Sequence, residues 1–407
     1  MQESGPETGR HNVMFVAPHR PMFLAGGVML LVGFTLWAIE LGARIGLGSP
    51  VGWTLPGGWM HALLVSLGVF PFFIFGFLFT AMPRWQGMTD LPRPRWLRPW
   101  MLLAGGWALV VIGLLVPGLL AVGLLTLIAG WIMVVRVLWD VAHQPRADRL
   151  HARMTCWGVI GGGTSLLAWL ALALTGDAVW ARVAINLGVW CFLVPVFASV
   201  CHRMIPFFSS GIIPDYVMVR PRWALGVLVG ASVVHGLLVI AGFSTLTWLV
   251  DLPAALVALW LSYQWRLLPA LKVRLLGMLH IGFAWLGIAF LLFAIQGIAA
   301  VLGHHVLGMA PLHVLGLGYF GSILLAMVSR VTLGHSGRPL QADRLTWGLF
   351  LGLQVIVLLR VLADVVPWSW SGSVMFAAAL GWLGIFMAWA SRYLPIYVRP
   401  RVDGKAG

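Results

Sequence analysis

Long apolar runs, separated by short loops that carry arginine, dominate this sequence. Twelve such runs, each of about 20 residues, lie at 21–45, 58–82, 98–116, 118–139, 152–175, 180–205, 223–242, 244–264, 275–302, 309–334, 345–365 and 372–394. An α-helix of this length crosses the hydrocarbon layer of a bilayer. The composition agrees, because 60% of the residues are hydrophobic and only 9% are charged. The sequence therefore predicts an all-α integral membrane protein with about twelve transmembrane helices.

The basic residues are distributed unevenly between the two sets of alternate loops. Of the 26 Lys and Arg residues, only Arg44, Arg182 and Arg360 fall in one set, which leaves 23 (26 less 3) in the tails and the other set. Loops rich in Lys and Arg stay in the cytoplasm. We therefore expect both termini to be cytoplasmic. A net charge of +14 can indicate binding to a nucleic acid, but the basic residues here are placed as membrane topology requires, so we expect no nucleic-acid partner.

The chain is predicted to be one polytopic membrane domain over residues 1–407. It divides into a cytoplasmic tail (1–20), a twelve-helix bundle (21–395) and a second cytoplasmic tail (396–407). The first twenty residues contain no cleavable apolar segment, so we expect the first span to act as an uncleaved anchor. Cys156, Cys191 and Cys201 fall within spans and form no CxxC pattern, which argues against a disulfide framework and a covalently attached c-type haem.

The twelve histidines fall at distinct depths on the predicted topology, and ionisable side chains inside a bilayer are commonly functional. Near the outer face are His61, His304, His305 and His313. Near the inner face are His19, His202, His280 and His335. His235 stands alone near the middle of the seventh span, and the expected solvated histidines of the cytoplasmic loops and edges are His11, His143 and His151.

His61 and His313 form the most informative pair, because two spans that run in the same direction present them at similar outer depth. Neutral imidazole is a common metal ligand and a common axial ligand of haem iron. A facing pair, with small residues nearby, suits a non-covalent b-type haem. The alternative for each histidine is a hydrogen bond to a carbonyl of a neighbouring helix.

Several segments resemble one family of membrane proteins. They are "PHRPMF" (18–23), "HALLVSLGVFPFFIFGFLFTAMPRWQG" (61–87), "CHRMIPFFSSG" (201–211), "LHIGFAWLG" (279–287) and "HVLGLGYFGSILLAMVSRVTLGHSGRP" (313–339). Over nearly the full chain the sequence resembles the NnrS family. The resemblance implies a twelve-span protein of the bacterial inner (cytoplasmic) membrane that binds haem and copper and is associated with nitric oxide and nitrosative stress. Gln86 and Ser336 depart mildly from the family pattern, where threonine is more usual.

The resemblance also implies site residues. The candidate metal ligands are His61, His202, His280, His313 and His335. For the cofactor, haem b, the expected contacts are His61, His280 and His313, with Arg84 and Arg330 as partners of its carboxylates. The alternative for both arginines is contact with lipid headgroups. The resemblance does not say which histidines bind haem and which bind copper.

Two further hypotheses concern the inner side and the arrangement of the helices. His335, with His202 and His280, is a candidate second metal site; the alternative is that "LGHSGRP" is a helix end, with Gly334 and Gly337 supplying the turn. Spans 2, 6 and 10 end in comparable polar runs, which suggests a pseudo-threefold bundle similar to the haem-copper oxidase core subunit.

The expected partners are nitric oxide or a similar small diffusible ligand, the lipid membrane and an electron donor that the sequence does not identify. Whether the protein is an enzyme stays open. The main alternative function is a twelve-helix secondary transporter, which predicts related halves and a charged site at the midplane. A third is a structural protein with fortuitous histidines. No carboxylate lies clearly at the midplane, which disfavours proton coupling.

Overall fold

Twelve long helices make up the structure, a computed structural model that describes residues 13–145, 149–366 and 369–405. Each is long and apolar enough to cross a membrane. They are α1 (His19–Arg44), α2 (Gly57–Trp85), α3 (Arg93–Gly113), α4 (Leu119–Ala142), α5 (Leu150–Thr175), α6 (Val179–Ser210), α7 (Arg222–Ile240), α8 (Ser244–Gln264), α9 (Arg274–Val301), α10 (Ala310–His335), α11 (Arg344–Val365) and α12 (Ser371–Tyr397). The predicted multi-pass, all-α membrane fold is confirmed.

The helices extend beyond some of the predicted apolar runs. α3 begins at Arg93, ahead of the predicted 98, and α6 ends at Ser210 instead of 205. Hydropathy marks the hydrocarbon layer, whereas a helix continues into the headgroup region, where arginine is solvated. Pro94 does not prevent the early start of α3, because the first helical turn has no use for its missing N–H.

Three helices form the centre of the bundle. In the most apolar 18-residue stretch of each helix, the buried share is 89% in α2, 67% in α6 and 78% in α10, against 28–56% in the other nine. These three are spaced four helices apart, as the predicted pseudo-threefold period requires. α12 packs against both α11 and α1, so the surrounding helices close into a ring around α2, α6 and α10.

Each central helix contains a π-helical stretch close to its beginning. These stretches are Leu64–Val69 in α2, Leu187–Leu193 in α6 and Val314–Gly321 in α10. A π-helical turn takes one residue more than an α-helical turn and is common at functional sites. We call the end of the bundle at which α2, α6 and α10 begin the outer end, following the charge prediction, and the opposite end the inner end.

Polar contacts tie the two chain ends together at the inner end. Arg20 donates hydrogen bonds to the carbonyls of Tyr397 at 3.2 Å and Arg399 at 2.9 Å. Arg401 donates to the carbonyl of His335 at 3.0 Å. These bonds hold the beginning of α1, the end of α10 and the end of α12 in one layer.

Candidate functional site

A cavity of about 440 Å³ lies at the outer end between α1, α2, α6 and α10. Ligand pockets in proteins usually fall between about 300 and 1,000 Å³. His61 from α2 and His313 from α10 both line this outer cavity. The structure thus brings together the two histidines that the sequence placed at equal depth.

Aromatic rings hold the imidazole of His61. The ring of Trp37 stacks on it with 4.3 Å between centroids, and Phe34 meets it edge-on at 6.0 Å. Nδ1 of His61 is buried and has no hydrogen-bond partner among the described residues. A buried polar atom without a partner costs free energy. The ring is therefore fixed in place with an unsatisfied nitrogen.

The imidazole of His313 is held by polar partners instead. Its Nδ1 lies 2.9 Å from the carbonyl oxygen of Met309, one helical turn earlier, and 3.6 Å from Oδ2 of Asp364. Arg360 pairs with the same carboxylate at 2.7 Å. When Nδ1 donates to the carbonyl, Nε2 is left as an acceptor, which is the arrangement that metal-binding histidines commonly use.

Two arginines that the sequence analysis treated only as markers of topology belong to this cavity. Arg44 and Arg360 both line it. Arg44 also pairs with Glu40 at 2.8 Å, and Glu40 accepts a hydrogen bond from Trp53 at 2.8 Å. The signal available in the sequence was their rarity, since they are two of only three basic residues in the predicted outer loops. Both guanidinium groups therefore reach the outer cavity, each beside a carboxylate, Glu40 or Asp364.

Part of the cavity wall consists of backbone atoms, because the residue there is a glycine. Gly316 lies three residues after His313, in the π-helical stretch of α10, and also lines the cavity. A Cβ atom at this position would meet no atom within 4 Å. By contrast, a Cβ atom at the nearby Gly318 would lie 2.9 Å from the ring of Trp285. Gly316 therefore leaves space for a ligand, whereas Gly318 allows close helix packing.

Arg84 and Arg330 lie at the other end of the bundle. Arg84 is 23 positions after His61 along α2 (84 less 61), a rise of roughly 35 Å. It pairs with Asp90 at 3.3 Å, and the guanidinium of Arg330 lies over the ring of Phe208 at 3.9 Å. A single haem in the outer cavity cannot contact either arginine. In the outer cavity, the role predicted for Arg84 and Arg330 falls to Arg44 and Arg360 instead.

The inner histidines form two pairs instead of the expected trio. The ring of His335 lies 4.6 Å from that of His19, and His202 shares a 2.9 Å hydrogen bond with His151. In the parts of the chain that the structure describes, no group of three or more His, Cys, Asp or Glu residues is placed to hold a metal ion. The helix-end interpretation fits here, because α10 ends at His335 and Gly337 has a positive φ of 73°.

The expectation that His151 is solvated is wrong. Its side chain is 5% exposed, and it contacts His202 across the interface of α5 and α6. The apolar pattern placed it at a helix edge but did not reveal the neighbouring helix. His11 lies outside the described residues, whereas His143 is exposed and stacks on Trp139 with 4.1 Å between centroids.

His280 is buried between α9 and α6. Its Nε2 lies 2.9 Å from the hydroxyl oxygen of Ser209, and its Nδ1 has no hydrogen-bond partner among residues 13–145, 149–366 and 369–405. His280 lies six residues after the first residue of α9, near the inner end, and does not line the outer cavity. The structure therefore gives this histidine a setting separate from those of His61 and His313.

His235 is not alone, contrary to the sequence analysis. Its Nδ1 lies 2.8 Å from Oδ1 of Asp251 on α8, and the two side chains are 3% and 0% exposed. The ring of Trp190, from the π-helical stretch of α6, covers the imidazole with 3.7 Å between centroids. The pairing of His235 with Asp251 could not be found from the sequence, because the two residues are 16 positions apart on different helices.

The outer cavity combines the chemical groups that a flat, amphipathic metal cofactor needs. Two imidazoles are potential axial ligands, two guanidinium groups can bind carboxylates, and aromatic side chains such as Trp37 and Trp382 supply apolar walls. Gly316 lets such a group approach the backbone. The residues present therefore fit a b-type haem.

Comparison with known proteins gives one result that bears on this site. A protein-family model described as NnrS protein matches residues 13–401, nearly the whole chain. The match includes all twelve helices and every residue of the outer cavity. No curated protein matches the chain.

Proposed function

The chain belongs to the NnrS family, and on that basis we propose that it is a haem-binding membrane protein whose ligand is nitric oxide or a similar small diffusible molecule. The observation that carries the proposal is the convergence of His61 and His313 on one outer cavity. The family resemblance connects such proteins with nitrosative stress and the bacterial inner membrane. Turnover and the electron donor are not part of the proposal.

When bound, haem b supplies an iron that coordinates small ligands and exchanges electrons. The chain's own residues hold and orient that group. His61 is fixed by the stacked ring of Trp37, and His313 by Met309 and Asp364. Arg44 and Arg360 would hold the carboxylates, and the aromatic walls would exclude water.

An optical spectrum of the purified protein, oxidised and then reduced with dithionite, tests the proposal directly. We expect a Soret band in the wild type and its loss or shift in His61→Ala and His313→Ala. The matched control is His305→Ala, because His305 is exposed in the outer loop. A colourless wild-type preparation from haem-replete cells, without iron by metal analysis, would contradict the proposal.

A second variant tests the cavity without removing a ligand. Gly316→Leu would place a side chain in the space that the cofactor requires, so we expect less haem per protein with normal expression. Gly348→Leu is the control, because Gly348 is exposed on α11 and a Cβ atom there also meets no atom within 4 Å. Equal haem content in both variants would place the haem elsewhere.

Copper is the second candidate cofactor. Imidazole is a suitable ligand for copper, and the inner end presents the pairs His19–His335 and His151–His202. We expect copper in the wild type and less of it in a His335→Ala, His202→Ala double variant, while the Soret band remains. Unchanged copper content in that variant would exclude both pairs as the copper site.

The transporter alternative has one observation in its favour, the buried carboxylate of Asp251 beside His235. Secondary transporters are commonly built from two related halves with interrupted helices. The regularity of this bundle has a period of four helices instead, and its central helices continue through π-helical turns. The haem proposal accounts for more of the buried polar groups at the outer end.

A further inference from the structure

A second, smaller cavity lies between the three central helices, towards the inner end from the outer cavity. It measures about 50 Å³. All of its lining side chains are apolar, among them Ile74 and Leu78 from α2, Val196 and Val200 from α6, and Leu324 and Val328 from α10. It offers no hydrogen-bonding side chain to a water molecule.

Three phenylalanine rings, one from each central helix, lie where the two cavities approach each other. The ring centroid of Phe70 is 5.6 Å from that of Phe197 and 5.6 Å from that of Phe320, and the last two are 4.9 Å apart. Phe70 and Phe320 line the outer cavity, whereas Phe197 lines the smaller one. The three rings therefore form a partition between the two spaces.

The chemistry of the small cavity selects its occupant. A water molecule needs two to four polar partners, so an apolar space of this kind stays dry and accepts apolar guests such as xenon. A diatomic gas is comparable in size and needs no hydrogen bond. Because the partition is made only of phenylalanine rings, it can open without breaking a polar contact.

We propose that the small cavity holds a small uncharged gas next to the outer cavity, with Phe70, Phe197 and Phe320 as the gate between them. The choice of nitric oxide as the natural occupant rests on the proposed function. The cavity itself rests on the packing of α2, α6 and α10, with Phe23 of α1. Only the three rings separate gas held there from the outer cavity, which His61 and His313 line, and the gas returns to that cavity when a ring turns.

Xenon is the probe for this site, because it needs no haem and gives a strong anomalous signal. Crystals of the full chain pressurised with xenon should show a peak between Ile74, Val200 and Leu324. Val200→Phe fills the cavity from α6 and should abolish the peak, and Ile74→Phe should do so from α2. Val355→Phe is the control, because Val355 is 56% exposed on α11, and it should retain the peak.

The outcomes separate this inference from the proposed function. A xenon peak without any spectral response to nitric oxide would support the gas site and overturn the proposed function. A normal response to nitric oxide without a xenon peak in the wild type would overturn the gas site and leave the proposed function standing. A peak that persists in both filled variants would also overturn it, because the xenon would then lie elsewhere.

Discussion

A hydrogen bond of 2.8 Å joins Nδ1 of His235 to Oδ1 of Asp251, where α7 and α8 face α6. Neither side chain has access to water, since they are 3% and 0% exposed. Oδ2 of Asp251 has no hydrogen-bond partner within the described parts of the chain. Each member of the pair therefore depends on the other, because in a bilayer no water replaces a lost partner.

Removing the carboxylate should destabilise the protein. In Asp251→Ala the N–H of His235 would be buried without an acceptor, and we expect a loss of about 1–2 kcal/mol, the upper range for hydrogen bonds between membrane helices. Asp251→Asn keeps an acceptor oxygen and should lose less. Thermal unfolding in detergent, followed by tryptophan fluorescence, measures the difference. Equal stability of Asp251→Ala and the wild type would show that the pair contributes nothing.

Asp343 is the residue that caps the beginning of α11. It provides a test of pH dependence outside the membrane-spanning segments. Its carboxylate accepts a hydrogen bond from the N–H of Thr346 at 2.9 Å. Partial burial alone would raise the pKa of Asp343, but the hydrogen bonds with Thr346 and the nearby Arg392 guanidinium outweigh it and lower that pKa. A lowered pKa in the folded state means that the ionised carboxylate stabilises the fold.

We expect Asp343→Ala to cost about 1 kcal/mol at pH 7 through loss of the helix cap. The carboxylate's contribution is fully present above its unfolded pKa of about 3.9 and is lost as the pH falls through the lower, folded value. Asp343→Asn keeps the cap, so its difference from the wild type should be constant above about pH 5 and shrink below about pH 4. Unfolding at pH 7, 5 and 3.5 checks this. A difference that does not change with pH would rule out the ionised cap.

At the scale of helices, the contact between α5 and α6 depends on a residue without a side chain. A Cβ atom at Gly161 would lie 2.3 Å from the carbonyl oxygen of Cys191, a backbone atom that cannot move aside alone. The glycine run "GVIGGGTS" of α5 is therefore a packing surface at this position.

Gly161→Ala should separate α5 from α6 and lower stability by about 1–3 kcal/mol, the usual cost of overpacking a core. Gly226→Ala on α7 is the control, because a Cβ atom there meets no atom within 4 Å. It should be neutral or slightly stabilising through its better helix propensity. The melting temperatures of the two variants in the same detergent decide the matter, and equal values would mean that α5 and α6 are not in close contact.

The number of the helices was predictable, whereas their exact ends and their π-helical interruptions were not. Hydropathy identifies spans because a bilayer imposes a length on them. The sequences of the central helices contain no pattern from which a wider turn can be recognised. The π-helical stretches Leu64–Val69 and Val314–Gly321 depend on neighbouring helices that the local sequence does not specify.

At the scale of the whole molecule, the relative depth of a side chain along its span could be deduced from the sequence, whereas its neighbours on other helices could not. His61 and His313 were paired because equal depth follows from counting residues along two spans. The partners of His151 and His235 were missed because contacts between helices require the three-dimensional arrangement. Arg44 and Arg360 were recorded as outer-loop charges, yet the fold turns both towards the same cavity.

The orientation in the membrane is a prediction for the whole chain and rests on the uneven charge distribution. Reporter fusions after residue 407 and near residue 90 should report the cytoplasm, and a fusion near residue 305 should report the periplasm. The expected pattern follows from the 23 to 3 division of basic residues (26 less 3). A periplasmic carboxyl terminus would reverse the orientation and place the outer cavity at the cytoplasmic face.

The π-helical stretch in each central helix also divides that helix into two segments that are rotated relative to each other about the helix axis. An additional residue in a turn shifts everything beyond it by about one residue, or roughly 100° of rotation. His61 and His313 lie on the outer side of these shifts, whereas the residues around the small cavity lie on the inner side. Deleting one residue from such a turn would swing an imidazole away from its cavity while leaving the contacts beneath it in register. We therefore expect such a deletion to remove the histidine pocket without altering the bundle that supports it.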